Sequence, residues 1–206
     1  MKVLVTGTAG FIGSYVAERL LARGDEVTAF ARDPSSVKET SALLRVVRGD
    51  ARDATAVDRA VQGQDAVLCA FGPRSLKKDD VQEVLMRNLL ASMQLHGVKR
   101  LVNLSAWGAG DSTSSAGVVF WLVRTLILRH VYADKNRGEA LLLASPVDYV
   151  NVRPGRLIDA PARGGVKTSR DGKGLRAELT REDLATFMVS QLTDPTWLRT
   201  SPLVGY

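Results

Sequence analysis

Three glycines near the start of the chain have the spacing of a loop that can hold a phosphate group. Gly7, Gly10 and Gly13 follow the apolar strand pattern of residues 2–6 and open into the helical pattern of residues 14–23. The first glycine suits a tight turn with positive φ, the second leaves the backbone bare for a pyrophosphate at the helix N-terminus, and the third allows close contact between helix and strand.

This G-x-x-G-x-x-G stretch predicts a dinucleotide-binding loop, although its spacing differs from the G-x-G-x-x-G fingerprint. The alternative is a glycine-rich turn without a ligand. The residues predicted to contact the cofactor here are Gly7, Thr8, Gly10, Phe11, Ile12 and Gly13.

Arg32 lies directly after the second predicted strand, residues 26–31, where an enzyme that uses NAD would carry an acid for the ribose 2′-hydroxyl. A guanidinium cannot accept that hydrogen bond, but it can bind a 2′-phosphate, with Ser35 and Lys38 near enough in sequence to assist. The pattern therefore predicts NADP(H) as the cofactor. Asp33 keeps NAD(H) as the alternative, and a solvated surface arginine is the alternative interpretation of Arg32.

The third and fourth predicted strands end in residues that suit the rest of a nucleotide. Asp50 follows strand 44–49 and is placed to accept a hydrogen bond from an adenine amino group, although an aspartate there also favours a plain turn. The fourth strand closes with Ala70-Phe71-Gly72-Pro73, whose small and rigid residues would let the backbone approach a ribose or pyrophosphate. The predicted cofactor contacts in these two segments are Asp50, Ala51, Phe71 and Gly72.

Strands and helices alternate along the chain. Strand patterns occupy residues 2–6, 26–31, 44–49, 65–71, 100–105 and 148–152, with helical patterns at 14–23, 54–61 and 81–96 and a further helix ending near residue 144. Thr180 begins a capping box for a helix that reaches residue 192. This order predicts one domain over residues 1–206, an α/β doubly wound parallel sheet with helices on both faces. Ligands of such sheets bind beyond the carboxyl ends of the strands.

Composition and charge argue against several classes of partner. The 206 residues carry a net charge of +6, but acidic residues are interspersed among the basic ones, so we expect an anionic small ligand and no nucleic acid. The most apolar stretch, residues 116–131, is interrupted by Arg124 and is too short to span a membrane. Cys69 is the lone cysteine and Met1 leads directly into a strand, so we expect no signal peptide and a cytoplasmic protein. His96 and His130 lie apart without a second ligand at metal spacing, so we expect no metal site.

Taken together, these motifs resemble the atypical short-chain dehydrogenase/reductase family. Within it the chain is similar to the NAD(P)H-binding, NmrA-like branch that includes flavin and biliverdin reductases. The resemblance covers residues 2 to about 192 and implies a Rossmann-type fold, a nicotinamide cofactor and a reductase activity. It rests on the glycine motif, on Arg32-Asp33, on Gly49-Asp50-Ala51-Arg52-Asp53, on Asp65-Ala66-Val67 with Phe71-Gly72, on Asn103-Leu104-Ser105 and on residues 148–155.

The better-known branch of that superfamily uses a serine with Tyr-x-x-x-Lys, and the resemblance matches Ser105 to the serine and Lys135 to the lysine. Val131 stands at the tyrosine position, and Tyr132 is rotated from it by about 100° on a helix. Either Tyr132 is recruited by a local change in the helix, or the enzyme has no tyrosine acid and Ser105 donates a hydrogen bond to the acceptor oxygen. The alternatives are a serine that caps a turn and a solvated lysine paired with Glu139. The predicted catalytic residues are therefore Ser105, Lys135 and Tyr132, and the remaining predicted cofactor contacts are Lys135, Arg153 and Pro154.

The resemblance implies hydride transfer from NADPH to a small conjugated or carbonyl acceptor, of the flavin, quinone or enone type. Two alternatives stay open: an NADP(H)-binding redox sensor without turnover, which Val131 favours, and an NAD-dependent epimerase/dehydratase-like enzyme. The substrate pocket is predicted from residues 106–131 and 155–180, with Phe120 and Trp121 on an apolar helix as wall or core. Exposure of the 118–128 face of that helix would indicate a homodimer, and burial a monomer.

Overall fold

The computed structural model describes residues 1–72, 75–115 and 125–206. These ranges contain ten strands and five α-helices. The strands are β1 (Lys2–Thr6), β2 (Glu26–Ala31), β3 (Leu44–Arg48), β4 (Ala66–Cys69), β5 (Arg100–Leu104), β6 (Asp148–Pro154), β7 (Arg156–Ile158), β8 (Lys167–Ser169), β9 (Glu178–Thr180) and β10 (Leu203–Gly205). The helices are α1 (Phe11–Ala22), α2 (Ala54–Val61), α3 (Val81–His96), α4 (Arg129–Ala144) and α5 (Arg181–Ser190).

Within the described residues, eight strands form one sheet in the order β3-β2-β1-β4-β5-β6-β10-β8. All neighbours pair in parallel except β8, which runs antiparallel to β10. Strands β7 and β9 form a separate parallel pair. The chain order reverses at β1, where Val5 pairs with Ala29 of β2 on one side and with Leu68 of β4 on the other. The predicted doubly wound sheet is confirmed, and its switch point lies at the carboxyl end of β1, where the glycine motif begins.

The core has two layers because successive side chains of a strand face opposite sides of the sheet. Val3 and Val5 of β1 pack in one buried cluster with helices α1 and α5, whereas Leu4 packs in the other cluster with α2, α3 and α4. The helices therefore cover both faces of the sheet. This leaves the ends of the strands as the place where a ligand can reach functional residues.

Several predicted element boundaries are confirmed, and others differ for local reasons. β1, β2, α2 and α3 have the predicted bounds. Helix α1 begins at Phe11, earlier than predicted, because Gly10 with extended backbone serves as its N-cap. β6 continues to Pro154, since the next strand of the sheet pairs Val204 with it. Thr180 is the N-cap of α5, as predicted, with the Asp183 amide donating to its hydroxyl at 3.1 Å. The reciprocal bond of the predicted capping box is not formed, because the Thr180 amide donates to the Tyr206 hydroxyl, and the helix ends at Ser190.

Part of the predicted apolar stretch, residues 116–124 with Phe120 and Trp121, lies outside the described residues, as does Pro73. Arg129 to Val131 belong to α4, which continues unbroken to Ala144. After β2 the chain forms a 3₁₀ turn at Pro34–Ser36. Among the helices of the described ranges, none is long and apolar enough to cross a membrane.

Candidate functional site

The loop from β1 to α1 requires glycine at two of its three motif positions. Gly7 has φ of +80°, and a Cβ there would lie 2.6 Å from the carbonyl oxygen of Ala70. A Cβ on Gly13 would lie 2.1 Å from the carbonyl oxygen of Gly7, so the first turn of α1 presses directly on the loop. The amide of Gly10 donates to the Gly7 carbonyl at 2.9 Å and closes the turn.

The residues at the N-terminus of α1 fit a bound pyrophosphate. Gly10 offers no side-chain cap, and the first turn of α1 carries no acidic residue, so backbone N–H groups and the positive end of the helix face the loop. The hydroxyl oxygen of Thr8 is buried and has no hydrogen-bond partner among the described residues. An unpartnered buried hydroxyl is costly without a ligand to complete it. Ile12 is buried and Phe11 is 70% exposed, so the two neighbours in the motif face opposite environments.

A cleft of about 970 Å³, counted out to its mouth, opens beyond the carboxyl ends of the strands. It runs from the glycine loop to the loops that follow β2, β3 and β4 and is closed on one side by the start of α4. The predicted cofactor residues that line it are Gly7, Arg32, Asp50, Ala51 and Phe71, joined by the unpredicted Arg52, Lys77, Asp79 and Val131.

Arg32 and Asp33 have different environments at the end of β2. Arg32 is exposed and lines the cleft. The carboxylate of Asp33 accepts hydrogen bonds from the hydroxyl and the amide of Ser35, at 2.7 and 3.0 Å. These bonds lower the pKa of Asp33, so it stays ionised while it caps its own turn. The Arg32 cation is thus presented to the cleft, while one carboxylate oxygen of Asp33 is engaged in its own turn.

Four polar contacts fix the loop after β3, and the first is the turn that the sequence offered as the alternative for Asp50. Asp50 accepts from the amide of Arg52 at 2.9 Å, and the Asn88 side chain donates to the Ala51 carbonyl at 3.0 Å. The guanidinium of Arg52 pairs with Asp79 at 2.5 Å and with Asp80, across the cleft on the segment before α3. The contacts of Asn88 and of the Arg52 guanidinium join elements that are remote in sequence, so no local pattern signals them.

Helix α4 carries three of the positions that define the predicted catalytic site. Val131 lines the cleft, so an aliphatic side chain stands at the tyrosine position. Tyr132 is buried and its hydroxyl donates to the carbonyl of Trp107 at 3.0 Å. The Lys135 ammonium is buried and donates to the carbonyl of Leu104 at 3.4 Å. Burial lowers the pKa of Lys135, and the nearby charges of Glu139, Cys69 and Asp134 only partly oppose that effect.

Ser105 belongs to a buried polar cluster that sequence reasoning found only in part. Its hydroxyl donates to a carboxylate oxygen of Glu139, and the other carboxylate oxygen accepts from Arg153 at 2.7 Å. Arg153 also pairs with Asp111. Burial acts to lower the pKa of Arg153, but its hydrogen bonds to Glu139 and Asp111 outweigh burial and raise it. Ser105 and Arg153 were predicted as site residues, whereas the only sequence signal of Glu139 is its position one helical turn beyond Lys135.

Glu139 and Lys135 both line a second, smaller cavity, which shares Phe71 and Gln82 with the wall of the cleft. The structure therefore places Lys135 behind the cleft wall rather than on its surface. Asp134 reaches across to α3, where its two oxygens accept from the amides of Gln82 and Glu83 at 3.0 and 3.1 Å and cap that helix.

Two predicted contacts lie at the margins of the site. Gly72 is exposed after β4, and Pro154 is buried at the end of β6, where its carbonyl accepts from the amide of Trp107 at 2.9 Å. Pro154 thus fixes the loop that follows β5. In the described parts of the chain, no group of three or more His, Cys, Asp or Glu is arranged to hold a metal ion.

The fold and the cleft define a Rossmann-type nucleotide-binding protein with its glycine loop at the switch point of the sheet. A family model described as NAD(P)H-binding matches residues 7–195. The chain therefore belongs to the NAD(P)H-binding family, which confirms the family expected from the motifs.

Curated relatives share up to about a third of their residues with this chain over part of their length. Sterol demethylase protein B of Methylococcus capsulatus is 32% identical over 131 residues, which cover 60% of this chain and 40% of that protein. Cinnamoyl-CoA reductase 1 of Oryza sativa subsp. japonica is 36% identical over 117 residues, which cover 52% of this chain and 35% of that protein. The chain thus spans less than half the length of these curated relatives.

Solved structures show the same fold over the whole chain. ChuY, an anaerobillin reductase from Escherichia coli O157:H7, superposes with a TM-score of 0.84 at 21% identity and covers 100% of this chain and 97% of that one. A short-chain dehydrogenase/reductase from Veillonella parvula, in complex with NADP, has a TM-score of 0.79 at 19% identity, with coverage of 100% and 94%. At these identities the likeness is one of fold.

Proposed function

We propose that the protein is an NADPH-dependent reductase that transfers a hydride to a small conjugated or carbonyl acceptor. The observation that carries the proposal is that Arg32 and the glycine loop line one cleft while Asp33 is held in its own turn by Ser35. This arrangement offers a cation to a ribose 2′-phosphate at the end of β2. Curated relatives named as reductases support the reaction class.

Different residues of the cleft bind different parts of the cofactor. Arg32 binds the 2′-phosphate, Asp50 accepts from the adenine amino group, and the backbone around Gly10 binds the pyrophosphate. Phe71 and Val131 give the wall an apolar surface that excludes water from the reacting face. When bound, NADPH supplies the hydride.

The polar contacts of the site favour acceptors that need no buried acid. The Tyr132 hydroxyl is bound to the Trp107 carbonyl, and the Ser105 hydroxyl hydrogen is directed to Glu139. A flavin, quinone or enone accepts the hydride at a conjugated position and takes its proton from water, so these groups suit the cleft better than an isolated ketone.

A redox sensor that binds NADP(H) without turnover is the second candidate. Val131 at the tyrosine position favours it, together with the engagement of the Tyr132 hydroxyl within the protein. In this case occupancy of the cleft would change association with another protein, and no acceptor would be reduced.

The test is a titration of the purified protein with NADPH and NADH, followed by absorbance of the reduced nicotinamide while flavin, quinones and enones are added. We expect tight NADPH binding and acceptor-dependent oxidation, and we expect Arg32→Asp to weaken NADPH binding but not NADH binding. Lys99→Asp, the same charge change on an exposed residue before β5 at the opposite sheet edge, is the matched control. Binding without oxidation by any acceptor would favour the sensor, and binding of neither nucleotide would refute both candidates.

A further inference from the structure

Arg181, the first residue of α5, lies beside the glycine loop. Its guanidinium carbon is 4.1 Å from the centroid of the Phe11 ring, and Phe11 is the first residue of α1. The two helices pack side by side, with Arg19 of α1 donating to the Thr186 hydroxyl of α5 at 2.7 Å. Both helices thus begin at the same end of the sheet, and Arg181 stands where they begin.

Arg181 places a cation at the N-terminal end of α5. The N-terminal end of a helix carries partial positive charge, so it repels a guanidinium and attracts an anion. The two acidic residues in the first turn of α5 are engaged by other groups, Glu182 by Arg19 at 3.3 Å and Asp183 by the hydroxyls of Thr180 and Tyr206. The first turn of α1 carries no acidic residue, and Gly10 provides no side-chain cap. The described counterion of Arg181 is Asp159, at 3.0 Å, whose side chain is 75% exposed. A cation held at a positive helix end by a mostly solvated partner is the arrangement expected beside an anion site.

The Thr8 hydroxyl points independently to a polar ligand at the same loop. Its oxygen is buried and lacks a hydrogen-bond partner within the described ranges. Thr8 lies between Gly7, which could not carry a Cβ without striking Ala70, and Gly10, the N-cap of α1. A ligand group with several acceptor oxygens would satisfy the hydroxyl, the helix amides and the guanidinium together.

We propose that Arg181 is a ligand of the cofactor pyrophosphate, contributed by α5 to the loop that precedes α1. The proposal rests on the proposed function, which places a dinucleotide on that loop. The guanidinium exchanges Asp159 for a phosphate oxygen, and its planar fork suits two oxygens at once. The Phe11 ring holds the guanidinium by a cation–π contact and keeps its side chain over the loop.

The experiment measures dissociation constants of NADPH and NADH by calorimetry for the wild type and for Arg181→Gln. Because both cofactors contain the pyrophosphate, the substitution is expected to raise both constants by the same factor, roughly tenfold for a charge-assisted hydrogen bond. Inhibition by adenosine 2′-monophosphate, which lacks the pyrophosphate, is expected to stay unchanged. Arg32→Asp gives the contrasting pattern, with loss for NADPH and for the monophosphate only.

Three further variants separate binding from folding. Asp159→Asn removes the competing counterion and is expected to lower both dissociation constants, which a merely structural ion pair would not do. Arg170→Gln removes another arginine stacked on an aromatic ring, Trp197 at 6.0 Å, and is expected to change neither constant. Arg181→Lys keeps the charge, so its dissociation constants are expected to lie between those of the wild type and of Arg181→Gln. The wild type, Arg181→Lys and Arg181→Gln are expected to have equal thermal unfolding midpoints.

The inference is overturned if the wild type binds both nucleotides and Arg181→Gln binds them equally well. It is also overturned if Arg181→Gln leaves the nucleotide dissociation constants unchanged but raises the KM of an anionic acceptor, since Arg181 would then bind the substrate. Failure of the proposed function gives a different result, namely a wild type that binds neither nucleotide.

Discussion

The carboxylate of Glu139 and the guanidinium of Arg153 form a buried ion pair, with Oε2 and Nη2 2.7 Å apart and both side chains at most 3% exposed. Glu139→Gln removes the charge that compensates Arg153 and is expected to destabilise the fold by about 3–5 kcal/mol in urea unfolding. The control is Glu26→Gln at the exposed pair with Lys2, 4.0 Å apart, where the loss should stay within about 0.5 kcal/mol. Equal losses at the two sites would contradict the assignment of a buried pair.

Lys135 makes the stability depend on pH in the alkaline range. Burial lowers its pKa below the ordinary 10.5, so between the folded-state value and 10.5 the unfolded chain binds more protons than the folded one. Stability due to this group therefore rises with pH across that interval. Relative to Lys135→Met, the wild type should gain stability as pH increases from neutral toward 10.5. A difference in unfolding free energy between the wild type and Lys135→Met that stays constant over this pH range would contradict the prediction.

Gly13→Ala should damage the glycine loop more than the other glycine substitutions in the site. Its Cβ would lie 2.1 Å from the Gly7 carbonyl oxygen, so α1 and the loop must separate, at a cost of about 1–3 kcal/mol. Affinity for both nucleotides is expected to fall with the loss of loop geometry, as calorimetry would detect. Gly72→Ala, where nothing lies within 4 Å of the added carbon, should keep wild-type stability.

Asp183 ties α5 to the loop before it and should govern stability in acid. Its carboxylate accepts from the hydroxyls of Tyr206 at 2.6 Å and Thr180 at 2.7 Å, and from the amides of Arg163 at 2.7 Å and Gly164 at 3.2 Å. Burial acts to raise the pKa of Asp183, but these hydrogen bonds prevail and hold it below the ordinary 3.8. The contribution is therefore present above 3.8 and is lost as pH falls through the folded-state value.

Asp183→Asn should accordingly destabilise the protein at neutral pH by about 1.5–3 kcal/mol, the value for hydrogen bonds to a charged group. The difference in unfolding free energy between the wild type and Asp183→Asn should disappear in acid. Tyr206→Phe removes one of the donors and should cost less than Asp183→Asn at neutral pH. Urea unfolding of both variants over a range of pH measures the effect, and a gap for Asp183→Asn that stays constant down to the lowest pH would argue against it.

Much of the fold follows from local sequence pattern. The apolar runs that became β1 and β2 and the periodic stretches that became α2 and α3 have clear ends, and their bounds were predicted. The three-residue strands β7 to β10 were not, because so short a strand has no readable period. β10 pairs with β6 and β8, and only the folded chain brings those segments together.

The residues of the candidate site likewise divide into those that the sequence predicts and those that it does not. The glycine loop and Arg32 were predicted because their chemistry depends on residue type and spacing next to a strand. The pairs Arg52–Asp79 and Glu139–Arg153 join remote elements, so spacing does not reveal them. Tyr132 lies between these cases, since helical geometry predicted that it turns away from the tyrosine position but not that its hydroxyl meets the Trp107 carbonyl.

The cap that Asp134 places on α3 has a consequence for motion. Asp134 and Val131 belong to one rigid helix, so a displacement of the cleft wall at Val131 also displaces the first turn of α3. The residues just before that turn, Asp79 and Asp80, hold Arg52 on the opposite side of the cleft. The two sides of the cleft are therefore joined by a continuous chain of contacts, and we expect a displacement of one side to be transmitted to the other.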